Sequence, residues 1–510
     1  MQRHTLKCLI LFVLTSSAMR AADAIPVARE QKGVTPDNNN DALLTLGNMF
    51  AIGEGVPKNM AEAVKWYRQA AAQGSAEAQC KLGLIFATGD GLPKDIVEAI
   101  KWYRLAAVQG NADAQLILGN LYAAGDGLPK DSAEAITWYR QAAGQGNAEA
   151  QLILGNLYAA GNGLPKDGAE AITWYRKAAA QGNQDAQYLI GMRYFTGDGL
   201  PKDNNEAVKW FRKAAGQGNA QAQLILGNKY AAGEGFPKDS AEAAYWYRKA
   251  AEQGEPKAQY SLAVLFATGE GLPKDGPEAE KWLRLAATQG SADAQVFLGT
   301  MLMTGNGIPK NTPEAVKWFR LAADQGNTKA QCTLGLVFTS GDGVPKDQTE
   351  AGRWYRQAAT QGSAEAQLIL GMRYYAGEGV AKDKSEAVKW LGQAAAQGNA
   401  QAQANLGVMY ELGDGVPKNS PEAINWYRKA AMQGIARAQR NLGNMYALGE
   451  AGVPKDAVEG LAWSIVAAAS GDELFIQSRN MIESHMGNQA ILAAQKRSQE
   501  IQKEIESAKP

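Results

Sequence analysis

The residues best equipped for chemistry stand together in one short loop. Gly125-Asp126-Gly127-Leu128-Pro129-Lys130 leads into Asp131, and Glu134 follows three residues later. Two carboxylates so close can act as general acid and base, and a glycine-rich loop can cradle a phosphate. Repetition removes both readings. Asp or Asn followed three positions on by Glu recurs in twelve copies, and twelve identical pairs are helix caps. The first side chain accepts the free N–H groups of a helix start, and the Glu completes a capping box. No third Gly and no Gly-Lys-Ser/Thr accompanies the loop, so the phosphate pattern is not met. Its two glycines mark backbone that needs positive φ.

Histidine and cysteine add little. His4 and His485 are the two histidines, and none lies in residues 39–471. A His-based triad or a His-rich metal site is therefore excluded from that span. G-x-S-x-G, S-x-x-K and H-E-x-x-H are missing. The sequence points to no catalytic residue, no metal ligand and no cofactor.

Tryptophan sets the architecture that holds these residues. Trp66, Trp102, Trp138, Trp174, Trp210, Trp246, Trp282, Trp318, Trp354, Trp390, Trp426 and Trp463 follow one another at steps of 36, except the last, which is 37. The extra residue lies in Gly449-Glu450-Ala451-Gly452. A fixed period of this length with one signature per period is a solenoid. Asn111–Gly146 and Asn147–Gly182 are the closest copies, identical at 31 of 36 positions. With Asn111 as position 1, an N-cap, positions 2–14 form a first helix whose Ala114, Leu118, Leu121 and Tyr122 share one face. Gly119 sits beside that face and recurs in eleven of twelve copies, with Ala263 the exception. A recurring cost of about 1 kcal/mol in helix propensity argues for close helix packing there. The second helix, capped by Asp131, buries Ala135, Trp138, Tyr139 and Ala142 and ends at Gly146. One such hairpin cannot cover its own apolar side, so neighbours must stack. The Trp residues are expected to carry the packing between repeats. Cys80 and Cys332 share position 6 seven repeats apart. At roughly 8–10 Å per stacked helix layer they lie well beyond the ~7 Å a disulfide allows, so buried thiols are expected.

The pattern A-x-A-Q-x-x-L-G-x-x-Y-x-x-G-x-G-x-P-K-D-x-x-E-A-x-x-W-Y-R-x-A-A-x-Q-G resembles the Sel-one-like repeat, a relative of the tetratricopeptide repeat, over twelve units in residues 39–471. The resemblance implies an all-α fold, a right-handed α/α superhelix with the first helices on the concave side. It also implies a scaffold or adaptor role, often in exported bacterial proteins. The sequence departs from the pattern at Ala381, where Pro is expected, and at Gly392 and Ile465, where Arg is expected, which predicts slight loosening there. A cysteine-rich branch of the family carries a disulfide in each repeat and has had β-lactamase activity attributed to it. This chain lacks those cysteines.

What remains is surface. Positions 3, 7, 10 and 14 of the first helix fall within about 60° on a helical wheel, opposite the buried face. Stacked on the concave side, they form ladders. An acidic rim comprises Asp113, Glu149 and Asp185. An apolar rail comprises Ile117, Ile153, Leu189 and Ile225, continued by Phe297 and Ile369. Asn120, Asn156 and Asn228 add amides that both donate and accept. Two readings stand for the rail: contact with a peptide, or sideways packing on the next helix. The amides have the same choice between pairing with a peptide backbone and simple compatibility with the site.

The ends differ from the array. Arg3 and Lys7, the apolar run Cys8–Leu14, and small-residue cleavage patterns ending at Ala18 or Ala24 make residues 1–24 a secretory signal peptide. The mature chain would begin at Met19 or Ile25. Residues 25–38 read as a flexible linker. After Gly471 the pattern stops. A short helix over Asp472–Met486 (Leu474, Phe475, Met481, Ile482) and a last helix over Gln489–Ala508, capped by Asn488 and lined by Ile491, Ala494, Ile501 and Ile505, suit an end cap for residues 472–510. The amphipathic last helix also suits a partner or a membrane surface. Lys+Arg and Asp+Glu are both 52, so nothing favours nucleic acid or an anionic membrane, and no stretch is long and apolar enough for stable membrane insertion. The expectation is a periplasmic or secreted, monomeric solenoid that binds a protein or peptide ligand and is not an enzyme. The alternatives are a β-lactamase-type hydrolase and an envelope regulator that masks a signalling partner.

Overall fold

The computed structural model describes residues 36–234, 237–449 and 452–507. The signal-peptide reading and residues 25–35 of the linker lie outside them. Helix Pro36–Ile52 starts three residues inside the span read as linker. Among the described residues there are 26 helices and no strand. The chain divides into two compact units between Trp210 and Phe211.

Each repeat is a pair of helices, of 13 residues each between the first and the last of the array, as in Ala112–Ala124 and Ser132–Gly144; Pro36–Ile52 has 17 residues and Ala457–Ala468 has 12. Asn111 caps the first through its side-chain oxygen, 2.9 Å from the Ala114 N–H. Gly125 ends it in the left-handed region at φ 76°, its N–H donating to the Leu121 carbonyl, a backbone state that suits glycine. Asp131 caps the second helix by accepting the N–H groups of Ala133 and Glu134 at 2.9 and 3.0 Å. The capping box stays half made. The Asp131 N–H donates to the Tyr122 carbonyl at 2.9 Å, a bond that closes the loop onto the first helix, so the Glu carboxylate is not required there. It turns instead to its own helix: Glu98 pairs with Lys101 at 2.9 Å, and Glu350 accepts the Trp354 indole N–H at 3.1 Å. All of these roles are structural.

Gly119 faces the ring of Tyr139. A methyl group there would sit 2.5 Å from Tyr139 Cε1, and Gly155 and Gly227 face Tyr175 and Tyr247 in the same way. Ala263 carries its methyl in the repeat whose ring position is Leu283, and both are fully buried. The buried ring is thus the tyrosine; Tyr103, Tyr175 and Tyr427 are at most 2% exposed. Most tryptophans are half-buried, Trp354 and Trp463 being buried. They pack on clusters that join consecutive helices, as Trp138 does on Tyr103, Ala107, Leu118 and Leu121. Position 6 is also core, with Leu116, Leu152 and Leu224 buried. Cys80 and Cys332 occupy it as free, partly buried thiols. Burial, with Asp113 adding repulsion, pushes the Cys80 thiol up to about 12.

The repeat with Ala381 and Gly392 keeps 13 residues in each helix, Ala364–Ala376 and Lys384–Ala396, whereas the helix carrying Ile465, Ala457–Ala468, has 12. Beyond them, helix Glu473–Glu483 has no fully buried residue, and Leu474 and Met481 are exposed. Helix Asn488–Ser507 inserts Ala494 and Ile501, both 0% exposed, into a cluster with Tyr427, Leu461 and Trp463. Arg497 fastens it, its Nε 3.0 Å from Glu459 Oε2 and its Nη1 2.9 Å from Glu504 Oε1. The apolar face of this last helix is largely consumed inside the chain.

Candidate functional site

Stacking first helices sets equivalent positions of successive repeats side by side. Asn147 of one repeat donates its amide N–H to Asp113 of the preceding one at 3.0 Å. In the unit ending at Trp210, position 3 is a carboxylate in every repeat: Asp41, Glu77, Asp113, Glu149 and Asp185. Asp113 and Asp185 are exposed and Glu149 is half-buried. Burial, and then repulsion from Asp185, raises the Glu149 carboxyl above its ordinary range, with the Asn183 amide pulling it partly back. The column is therefore electrostatically loaded.

The apolar rail is partly covered and partly open. Ile117 packs on the cluster around Tyr103 and Leu118, Ile153 on that around Tyr139 and Leu154, and Leu189 on that around Tyr175 and Ile190. All three remain half-exposed, as does Ile225. In the second unit Phe297 and Ile369 rest on its main cluster in the same way, and Phe297 meets Tyr260 edge-to-face with ring centroids 6.2 Å apart. The asparagines have a structural duty. Asn120, Asn156 and Asn228 each accept the hydroxyl proton of the buried tyrosine of their own repeat, at 2.9, 2.9 and 2.8 Å. Their carbonyl oxygens are engaged, which narrows what they offer a ligand.

Sequence reasoning overlooked a ladder of buried glutamines. Position 5 is Gln in every repeat but the first. Gln151 donates to the Ala143 carbonyl of the preceding repeat at 3.1 Å and accepts from Gln181 at 2.9 Å; Gln223 does the same with Ala215 and Gln253. The recurrence of Gln was itself the signal, since a recurring amide at a buried position implies fixed partners. Two further features escaped notice. In the second unit, position 10 turns from Asn228 to Val264, Leu336, Met372 and Val408, and Leu336 and Met372 are 59% and 42% exposed. Arg373, 4% exposed, donates to Thr339 Oγ1 and to Gln348, pinning one repeat to the next.

Among the described residues, groups suited to catalysis are not brought together. The His485 ring lies against the Met481 carbonyl at 2.8 Å. No group of three or more His, Cys, Asp or Glu placed to hold a metal occurs among the described residues. No helix among them is long and apolar enough to cross a membrane.

The Sel1 repeat family model matches twelve consecutive segments, from 40–75 through 436–472. A solved structure from uropathogenic Escherichia coli, c5321, described as a protective antigen displaying an SLR fold, is 36% identical. The match covers 88% of this chain and 97% of that one with a TM-score of 0.75. A Sel1 repeat protein from Oxalobacter formigenes is 35% identical over 64% of this chain and 93% of that one, with a TM-score of 0.48. No protein among those with curated functions matches the chain.

Proposed function

The chain belongs to the Sel1 repeat family, and on that premise we propose that it is an exported, monomeric scaffold that binds another polypeptide along the surface of its first helices. The observation that carries the reading is the half-open rail of Ile117, Ile153 and Leu189 beside an unbroken column of carboxylates. A suitable ligand for this unit is an extended or helical segment with apolar anchors and Lys or Arg flanks. Apolar burial supplies most of the affinity, while the carboxylates set orientation and association rate. Export to the periplasm or beyond is supported by the order of charged, apolar and small residues in 1–24. It is also supported by likeness to a protein described as a protective antigen. The last helix, with its apolar side buried, serves this reading as the end cap of the array.

The test is binding of a fluorescein-labelled amphipathic Leu/Lys peptide to the purified chain. Changing Ile117, Ile153 and Leu189 together to Ser should weaken binding at least tenfold while the circular dichroism spectrum holds. Arg140→Ala with Arg176→Ala, on the second helices, should leave it intact. A folded triple-Ser variant that binds as well as the wild type would show that the peptide uses another surface.

A further inference from the structure

We propose that the last two repeats carry a carboxylate subsite, formed by Asn405, Arg437 and Asn441, that receives the C-terminal carboxylate of a bound polypeptide; this rests on the first-helix surface being a polypeptide-binding face. The position-7 column is apolar at Phe297 and Ile369 and becomes amide at Asn405 and Asn441. At the same place position 3 becomes Arg437, on helix Ala436–Leu448. Arg437 reaches back one repeat and donates to Asn405 Oδ1 at 2.5 Å, while Arg440 donates to Asn441 Oδ1 at 3.0 Å. Two guanidinium groups are thus held by neutral amide oxygens, with no carboxylate in ion-pair contact with either among the described residues. A guanidinium fork bonds a carboxylate through two parallel N–H groups, more strongly than it bonds a neutral amide.

The surroundings say what brings that carboxylate. Asn405 Nδ2 lies 3.1 Å from Met372 Sδ, so the subsite adjoins the exposed apolar strip of Leu336 and Met372. A peptide resting apolar side chains on that strip places its next polar group at Arg437. The far side is closed. Ser478 of helix Glu473–Glu483 donates to Asn444 at 2.7 Å, and Arg440 lies 5.5 Å from the centroid of the Phe475 ring. A chain running along the strip stops there, which favours a chain end over a side chain. The amides are fixed in advance: Asn441 Nδ2 donates to the Tyr427 hydroxyl at 3.1 Å, and that hydroxyl donates to Glu411 at 2.5 Å. An amide nitrogen carries two protons and uses one here, leaving the other for a ligand oxygen.

The experiment compares three labelled hexapeptides of alternating Leu and Ala with the full chain at constant ionic strength: the free acid, its C-terminal amide, and an amide whose last residue is Glu. The free acid should bind about tenfold more tightly than either amide. Arg437→Gln should remove that preference while the plain amide binds as before. Equal binding of acid and amide to the wild type, or a preference that survives Arg437→Gln combined with Arg440→Gln, would overturn the subsite. Tight binding of the Glu-bearing amide would overturn the chain-end assignment. Leu336→Ser with Met372→Ser separates the two levels. If acid and amide bind equally and both depend on that strip, only the subsite falls. If none of the peptides binds the wild type, the surface reading falls with it.

Discussion

The unit before Phe211 and the unit after it are made from the same repeat, and they differ where the repeat faces outward. Inside, Gly155 under Tyr175 in one matches Gly227 under Tyr247 in the other. Outside, position 3 is a carboxylate throughout the first unit, from Asp41 to Asp185. In the second it runs Gln221, Lys257, Asp293, Lys329, Glu365, Gln401, Arg437. Position 10 is mixed in both units, Asn120 and Asn156 standing with Leu84 and Met192 in the first and Asn228 with Leu336 and Met372 in the second, but of its apolar residues only Leu336 and Met372 are exposed. Close packing tolerates little change in volume, so interior positions stay apolar and buried even where the ring gives way to Leu283 or Leu391. Positions free of that constraint can vary, and under the proposed function the two units would offer a polypeptide differently charged faces.

The largest effects test the shared interior. Tyr175→Ala and Tyr247→Ala should each cost about 3–5 kcal/mol. Because repeats couple to their neighbours, each should lower a different step of a denaturant-unfolding curve. A single unchanged cooperative transition in both variants would break the comparison. Trp246→Ala, removing a half-buried ring, should cost about 2 kcal/mol. Next in size, Gly119→Ala should destabilise by about 1–3 kcal/mol through its clash with Tyr139. Adding Tyr139→Leu should recover part of that loss, as Ala263 with Leu283 implies, and a double-mutant cycle reads the coupling. Gln151→Leu and Gln223→Leu should each cost about 1–3 kcal/mol by stranding a buried carbonyl, with equal effects in the two units.

The smallest effect separates the units by charge. The Glu149 carboxyl is raised in the folded chain by burial and by Asp185. Its protonated form therefore favours folding, and that stability is lost as pH rises through the raised value. Glu149→Gln should raise the melting temperature slightly at pH 7 and have no effect below the carboxylate range. A melting temperature unchanged at pH 7 would show that the column carries no repulsion.

The period, the helix pairs and the role of glycine were legible because each repeats: one Trp per 36 residues and a Gly that close helix packing explains. The burial of the tyrosine was read correctly, but the half-burial of most tryptophans was not legible, since both recur in adjacent positions and only the stacking angle tells them apart. The capping box was read one bond too far because the Asp131 N–H finds the Tyr122 carbonyl across the loop, a contact with no local sequence signature. The rail residues were named from the sequence, but their half-burial depends on how neighbouring helices meet. The Arg437 cluster was passed over because it belongs to no repeating pattern.

One measurement bears most directly on the claim that the outward face of the first helices selects the ligand. Asp113, Glu149 and Asp185 are changed together to Lys, and the affinity for the Leu/Lys peptide is measured at low and physiological salt. The account predicts a loss of at least tenfold at low salt that shrinks as salt rises, with the far-ultraviolet spectrum unchanged. A folded variant that binds the cationic peptide as tightly as the wild type at both salt concentrations would contradict it.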